Sequence, residues 1–153
     1  NVYGMMPTLE SAIRRSFPEA AIVHRSSSLI KAFSLHQRSD PHPACLYLHL
    51  GLHTADLACF DMNRLLFFNS FNIQGSEDVL YFTLNTAGQM KLRGDEITLI
   101  VSGLLDEGSD IHHLLQPYLG SIRFTERPAA FTYSPLLRQL PAQRYLDLFA
   151  LAL

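Results

Sequence analysis

Three side chains able to ligate a metal, Cys45, His49 and His53, recur at four-residue steps, the spacing that places paired histidines on one helical face around an ion such as zinc. The residues between them are apolar, however, and the stretch reads as a strand. Four residues of strand span ~13 Å, too far for one ion to be shared, so no metal site is expected. His112 and His113 are adjacent and diverge by about 100° on a helix, which makes them helix-surface residues. Ser26-Ser27-Ser28 is expected to cap a helix rather than to supply a nucleophile. No Gly-x-Ser-x-Gly elbow, P-loop or Gly-x-Gly-x-x-Gly loop occurs, so no catalytic residue is assigned. Cys45 and Cys59 are the only cysteines, too few for a disulfide framework and in keeping with a reducing compartment. A hairpin turning at Gly51-Leu52-His53 would set them opposite each other, within reach of a disulfide on oxidation. Two small buried thiols are the simpler expectation.

The elements that must position these residues follow from periodicity and from turn chemistry. An extended piece over Val2 to Met5 precedes a helix from Thr8 to Phe17, with Leu9, Ile13 and Phe17 four apart and Pro18 as its stop. Ala20 to His24 reads as a short strand, and a helix carrying Leu29, Ile30 and Phe33 follows. Arg38 to Pro43 contains two prolines among polar residues and marks an internal boundary. The organisation expected is a preceding α/β segment over 1–38, packed on the domain formed by 44–153. That domain opens with strands at Ala44 to Leu50, Thr54 to Phe60 and Leu65 to Ile73, a three-stranded meander. Ser76 is expected to cap the next helix, with Glu77 and Asp78 in its first turn. Ile97 to Val101 is apolar throughout, as a parallel strand covered on both faces should be. A helix from Ser109 to Leu119, frayed at Pro117, a strand from Ser121 to Thr125 and a terminal helix from Ala142 to Leu153 complete the order.

Composition narrows the function classes. The 153 residues suit one α/β domain, and an apolar fraction of 48% excludes a disordered chain. Twelve Lys and Arg against fourteen Asp and Glu leave a charge of −2 with no basic cluster, so neither nucleic acid nor anionic lipid is an expected partner. No apolar run is long enough to span a bilayer, and a cytoplasmic location is expected. The chain opens on Asn1, which leads to the expectation of residues upstream.

Leu48 to Thr54, Cys59 to Phe67 and Leu99 to Gly103 resemble, in turn, the phosphate hairpin, the following hairpin and the adenosine loop of the second half of the sugar kinase, heat-shock and actin superfamily. Asn69-Ser70-Phe71, the helix from Ser76, and Phe124 to Ala129 are similar to a bacterial family, domain of unknown function 3822, described as distantly similar to pilus-assembly and type II secretion platform proteins. The resemblance implies an α/β fold, the ribonuclease H-like half of an actin-like ATPase: a three-stranded meander, then helix, strand, helix, strand, helix. It also implies a vestigial nucleotide site at Gly51, His53, Thr54, Ser102 and Gly103.

A phosphate hairpin of that superfamily begins Asp-x-Gly, its carboxylate organising magnesium-bound water. Here the acidic position is His49, a poor ligand for a hard oxygen-seeking cation. Asp56, read as a solvated edge-strand residue, is the one carboxylate nearby. The adenosine loop keeps one glycine of two, Gly103. A two-metal nuclease is excluded as well, because His49 replaces its first carboxylate and Ile97 to Val101 offers none. The expectation is a non-catalytic interaction or scaffold module with a protein partner or a second copy of itself, and no cofactor. The alternative is a nucleotide-dependent ATPase or kinase-like protein binding ATP and magnesium, whose catalytic acids lie in a first half outside this chain.

Overall fold

The computed structural model describes residues 4–40, 45–129 and 131–152. A five-stranded sheet carries the structure, in the order β3-β2-β1-β4-β5. Strands β1 (Cys45–Leu50), β2 (Thr54–Asp61) and β3 (Arg64–Asn72) form the antiparallel meander. Strands β4 (Thr98–Gly103) and β5 (Ser121–Phe124) then add in parallel on the other side of β1. Parallel neighbours need crossover helices, which leave the central strands covered on both faces. Every residue of β1 is buried accordingly.

On one face Leu46, Leu48 and Leu50 pack with Leu57, Leu99 and Val101 under α3 (Ser76–Gln89) and α4 (Asp110–Leu115). On the other, Tyr47, Phe60 and Ile100 meet Leu29 and Phe33 of α2 (Arg25–Ser39) and Leu146 of a C-terminal helix (Leu146–Leu151), here α6. The ring of Tyr47 stacks on Phe33 at 4.7 Å and meets Phe60 edge-on at 5.4 Å, each such pair adding about 1 kcal/mol beyond its burial. A single turn, α5 (Pro135–Arg138), is capped by Ser134. Helix α1 (Pro7–Ser16) buries none of its residues.

Several expectations are corrected. Among the described residues Ala20 to His24 is not a strand of the sheet, and its residues are mostly exposed. Helix α2 begins at Arg25, and the ring of His24, not a serine, accepts the N–H of Ser26. Ser28 faces the core instead, and the helix continues through Arg38 and Ser39, which had been read as loop. Positions 41–43 of that loop, 44 of the first expected strand, and 2–3 of the opening extended piece lie outside the described residues. Gly75 occupies the cap position of α3 and Ser76 its first helical position, while Asp78 accepts the N–H of Gln74 at 2.7 Å. The last helix is shorter than read, because residues 142–145 form turns. A 3₁₀ turn at Gln116–Tyr118 ends α4 as Pro117 requires.

Cys45 pairs with Phe60 and Cys59 with Leu46, so the register is one residue away from the expected Cys–Cys pair. One residue of register reverses the face of a side chain, and the two thiols lie on opposite sides of the sheet. Both are buried, and burial pushes the Cys45 thiol up to about 12, outside the range of reactive thiolates.

Gly103 ends β4 at φ +87, and a Cβ there would stand 2.1 Å from the carbonyl oxygen of Leu50. Gly108 has φ +75 but open space around it. Gly103→Ala should therefore cost about 3 kcal/mol or more, and Gly108→Ala only about 1 kcal/mol. Urea midpoints of the two variants measure the difference.

Candidate functional site

Strands alternate their side chains, so β1 places His49 on the same face as Tyr47, and β4 places Ser102 on the face of Ile100. The pairing sets His49 directly beside Asp56 of β2 and beside Ser102 of β4. Three polar residues thus form one row across the three central strands, with exposures of 3% for His49, 1% for Asp56 and 0% for Ser102. Buried polar groups require partners, and two helices deliver them.

From the start of α2, the Arg25 guanidinium lies 2.8 Å from Asp56 Oδ2 and donates to Thr54 Oγ1 at 3.3 Å. The contact with Asp56 is an ion pair off the hydrogen-bonding line, since Oδ2 accepts no hydrogen bond. From the start of α6, Asp147 Oδ2 stands 3.8 Å from His49 Nε2. His49 Nδ1 shares a hydrogen bond with Ser102 Oγ at 2.9 Å, its direction set by the imidazole tautomer, and the Ser102 hydroxyl also lies 3.5 Å from Leu48 O as a donor. Serine, histidine and aspartate are in sequence here, yet Ser102 has no exposed surface for a substrate to reach and the aspartate is beyond hydrogen-bond distance. The arrangement fastens α6 to the sheet. Burial pulls the His49 imidazole below its ordinary 6.5, with Asp147 and then Asp56 acting in the opposite direction and Arg25 adding to the burial.

The residues singled out by sequence meet at this end of the sheet. The β1–β2 turn falls at Gly51-Leu52-His53, and Leu50 is in register with Gly103. Three backbone donors of that cluster have internal acceptors. Gly51 N–H donates to Thr54 O at 2.8 Å, Leu104 N–H to Leu50 O at 2.7 Å, and Gly103 N–H to Gln143 O at 2.8 Å. Thr54 is held by Arg25, whereas the His53 side chain is exposed at the hairpin tip. The Gln143 segment is itself clamped over the loop after β4, as Gln143 Nε2 and an Arg144 guanidinium nitrogen reach the two oxygens of Asp106 at 3.3 and 2.6 Å.

Asp56 is not a solvated edge residue as the sequence suggested. β3 forms that edge, and Asp56 lies inside the sheet. Arg25, Asp147, Gln143 and Asp106 went unrecognised by sequence reasoning. The available signal was the row itself, since three polar residues interrupting apolar strands at one level imply charged or polar partners arriving from elsewhere. His112 accepts from Gly108 N–H through Nδ1 and its ring lies against that of His113. Among the described residues no three His, Cys, Asp or Glu side chains converge on a common point suited to a metal ion. No helix among them is long and apolar enough to cross a membrane.

Sheet order, crossovers and a hairpin facing the end of β4 define the class: this is a ribonuclease H-like half of an actin-like ATPase fold. The chain belongs to the family described as "Protein of unknown function (DUF3822)", whose model matches residues 1–122. Its fold is similar to that of a crystal structure from Bacteroides thetaiotaomicron VPI-5482, a protein with actin-like ATPase fold and unknown function, with a TM-score of 0.78 at 20% identity. The alignment covers 99% of this chain and 53% of the other, so this chain spans about half the length of the structure it matches. No curated protein matches it.

Two outcomes test the site. Arg25→Met leaves Asp56 as a buried charge without its cation and should destabilise by roughly 2 kcal/mol, less than for a fully buried pair because Arg25 keeps 40% of its side-chain surface in water. Adding Asp56→Asn to it should recover most of that loss, as read by denaturant melts of the double-mutant cycle. The lowered imidazole pKa fixes the sign of a pH effect. The unfolded chain takes up a proton as pH falls through 6.5 while folded His49 does not, so stability is present above that pH and declines below it. The decline continues down to the lower folded value, and a His49→Asn variant should show a flatter melting curve across pH 7 to about 5.

Proposed function

We propose that this chain is a non-catalytic actin-like module that serves interaction or scaffolding, with a protein partner or a second copy as its ligand. The observation that carries this reading is the internal use of two backbone donors at this end of the sheet, those of Gly51 and Gly103. Phosphate binding by a hairpin and a glycine loop depends on N–H groups aimed outward at the anion. At Gly51 and Gly103 those groups bond to Thr54 and Gln143 of the chain itself. The cation at the hairpin is likewise internal, since Arg25 holds both Thr54 and Asp56.

The residues present do not fit a magnesium-bound nucleotide. The position of the superfamily's carboxylate is taken by His49, whose ring is already committed to Ser102, and the one neighbouring carboxylate, Asp56, is neutralised by Arg25. A cytoplasmic location belongs to the same reading. The competing reading, an ATPase whose acids reside in a further half, draws on the length of the Bacteroides protein, of which this chain covers 53%.

Calorimetric titration of Mg·ATP into the full natural protein, with this chain alone as the control, separates the two, because a cleft formed between two halves would leave one half silent under either reading. The expected outcome is no saturable heat, with any affinity weaker than about 1 mM. Micromolar binding that disappears in Thr54→Val, with the fold intact by circular dichroism, would sink the module reading.

A further inference from the structure

Helix α1 stands apart from the rest of the fold. None of its residues is buried, and among the described residues no element makes more than marginal contact with it. Its apolar side chains are nevertheless ordered into one row. Leu9 and Ile13 lie four apart, Met6 and Phe17 extend the row at either end, and Thr8, Ser11 and Arg15 occupy the opposite side. Met6, Leu9 and Phe17 are exposed, Leu9 with 47% of its surface in water, and Ile13 is half-buried. Glu10 and Arg14 border the row and neutralise each other at 2.9 Å.

A helix of 10 residues is marginal in water by itself, because the cost of nucleation is spread over too few hydrogen bonds. No side-chain cap closes the start of α1. Helices of this length draw their stability from the surface on which an apolar face packs, and the described chain offers α1 none. Four side chains fall well short of the ~800 Å² per partner that separate molecules bury in a standard interface. A small face suffices when both surfaces belong to one chain, since the tether supplies a high effective concentration. Length points the same way. The alignment with the Bacteroides structure takes in 99% of this chain, α1 with it, but 53% of the other, so nearly half of that protein lies beyond the matched region. The family model includes α1 as well, its match running from residue 1.

We propose that the row Met6, Leu9, Ile13 and Phe17 is the seat of a further lobe of the same natural protein, which covers it with an uncharged apolar patch. The lobe needs no counter-charge there, because Glu10 and Arg14 already satisfy each other. The inference is separate from nucleotide binding, since no residue of α1 belongs to the β1–β2 hairpin or to the loop after β4.

Amide hydrogen exchange, compared between the full natural protein and the 153-residue chain alone, tests the assignment. The amides of residues 11–16 should exchange at least about tenfold more slowly in the full protein. Leu9→Asp should abolish that difference while leaving the urea midpoint of the chain alone unchanged. An aspartate in the first turn favours the helix itself, so the lost protection reports lost docking. Ser11→Asp, on the opposite side, should keep the protection. The proposal is overturned if these amides exchange equally fast in both proteins or if Leu9→Asp retains the protection. It is overturned as well if protection appears in the chain alone and rises with its concentration, which would make the occupant a second copy.

Discussion

Strand β1 is buried along its whole length, and it carries a histidine one residue from its end. That combination constrains the structure around it. An apolar strand at the centre of a mixed sheet needs cover on both faces, while an imidazole within that cover needs polar neighbours that never reach water. Asp56 and Ser102 supply them from the adjacent strands, but each brings a requirement of its own. Asp56 needs a cation, which fixes the first residue of α2 over the hairpin. The far side of the His49 ring faces Asp147, which fixes the start of α6. The positions of two helices thus follow from one polar row.

The same constraint bears on function. An actin-like cleft works when hairpin and loop present donors outward to a shared ligand. Here the hairpin has been closed from within by Arg25, and the glycine loop by the carbonyl of Gln143. At this end of the sheet these groups hold the chain together. The fold is shared with a structure only 20% identical, and fold alone carries no activity.

Much of this was legible in the residues. The meander, the buried parallel strand and the helix after Gln74 follow from alternation, an unbroken apolar run and acidic first-turn residues, all local signals. The hairpin at Gly51 was readable for the same reason. What was not legible depended on register and on distance along the chain. Cys45 and Cys59 seemed to pair because a hairpin can be slid by one residue without altering its composition, and that slide moved them to opposite faces. Asp56 seemed solvated because nothing near it in sequence is cationic, whereas its partner is separated from it by a boundary loop and a whole strand. Ala20 to His24 has strand-forming residues but is not among the five strands of the sheet.

Helices α2 and α6, which precede and follow the sheet in sequence, pack on each other over the same face. This face cannot be completed until both have been made, whereas β1 to β4 and α3 on the opposite face can assemble from neighbouring segments. Domains rich in long-range closure fold more slowly, and a growing chain exposes its unfinished apolar face in the meantime. Tyr47, Phe60 and Ile100 form that unfinished face. The order of synthesis therefore makes the late docking of α6 a point of vulnerability for the nascent chain, where a chaperone would have the most to shield.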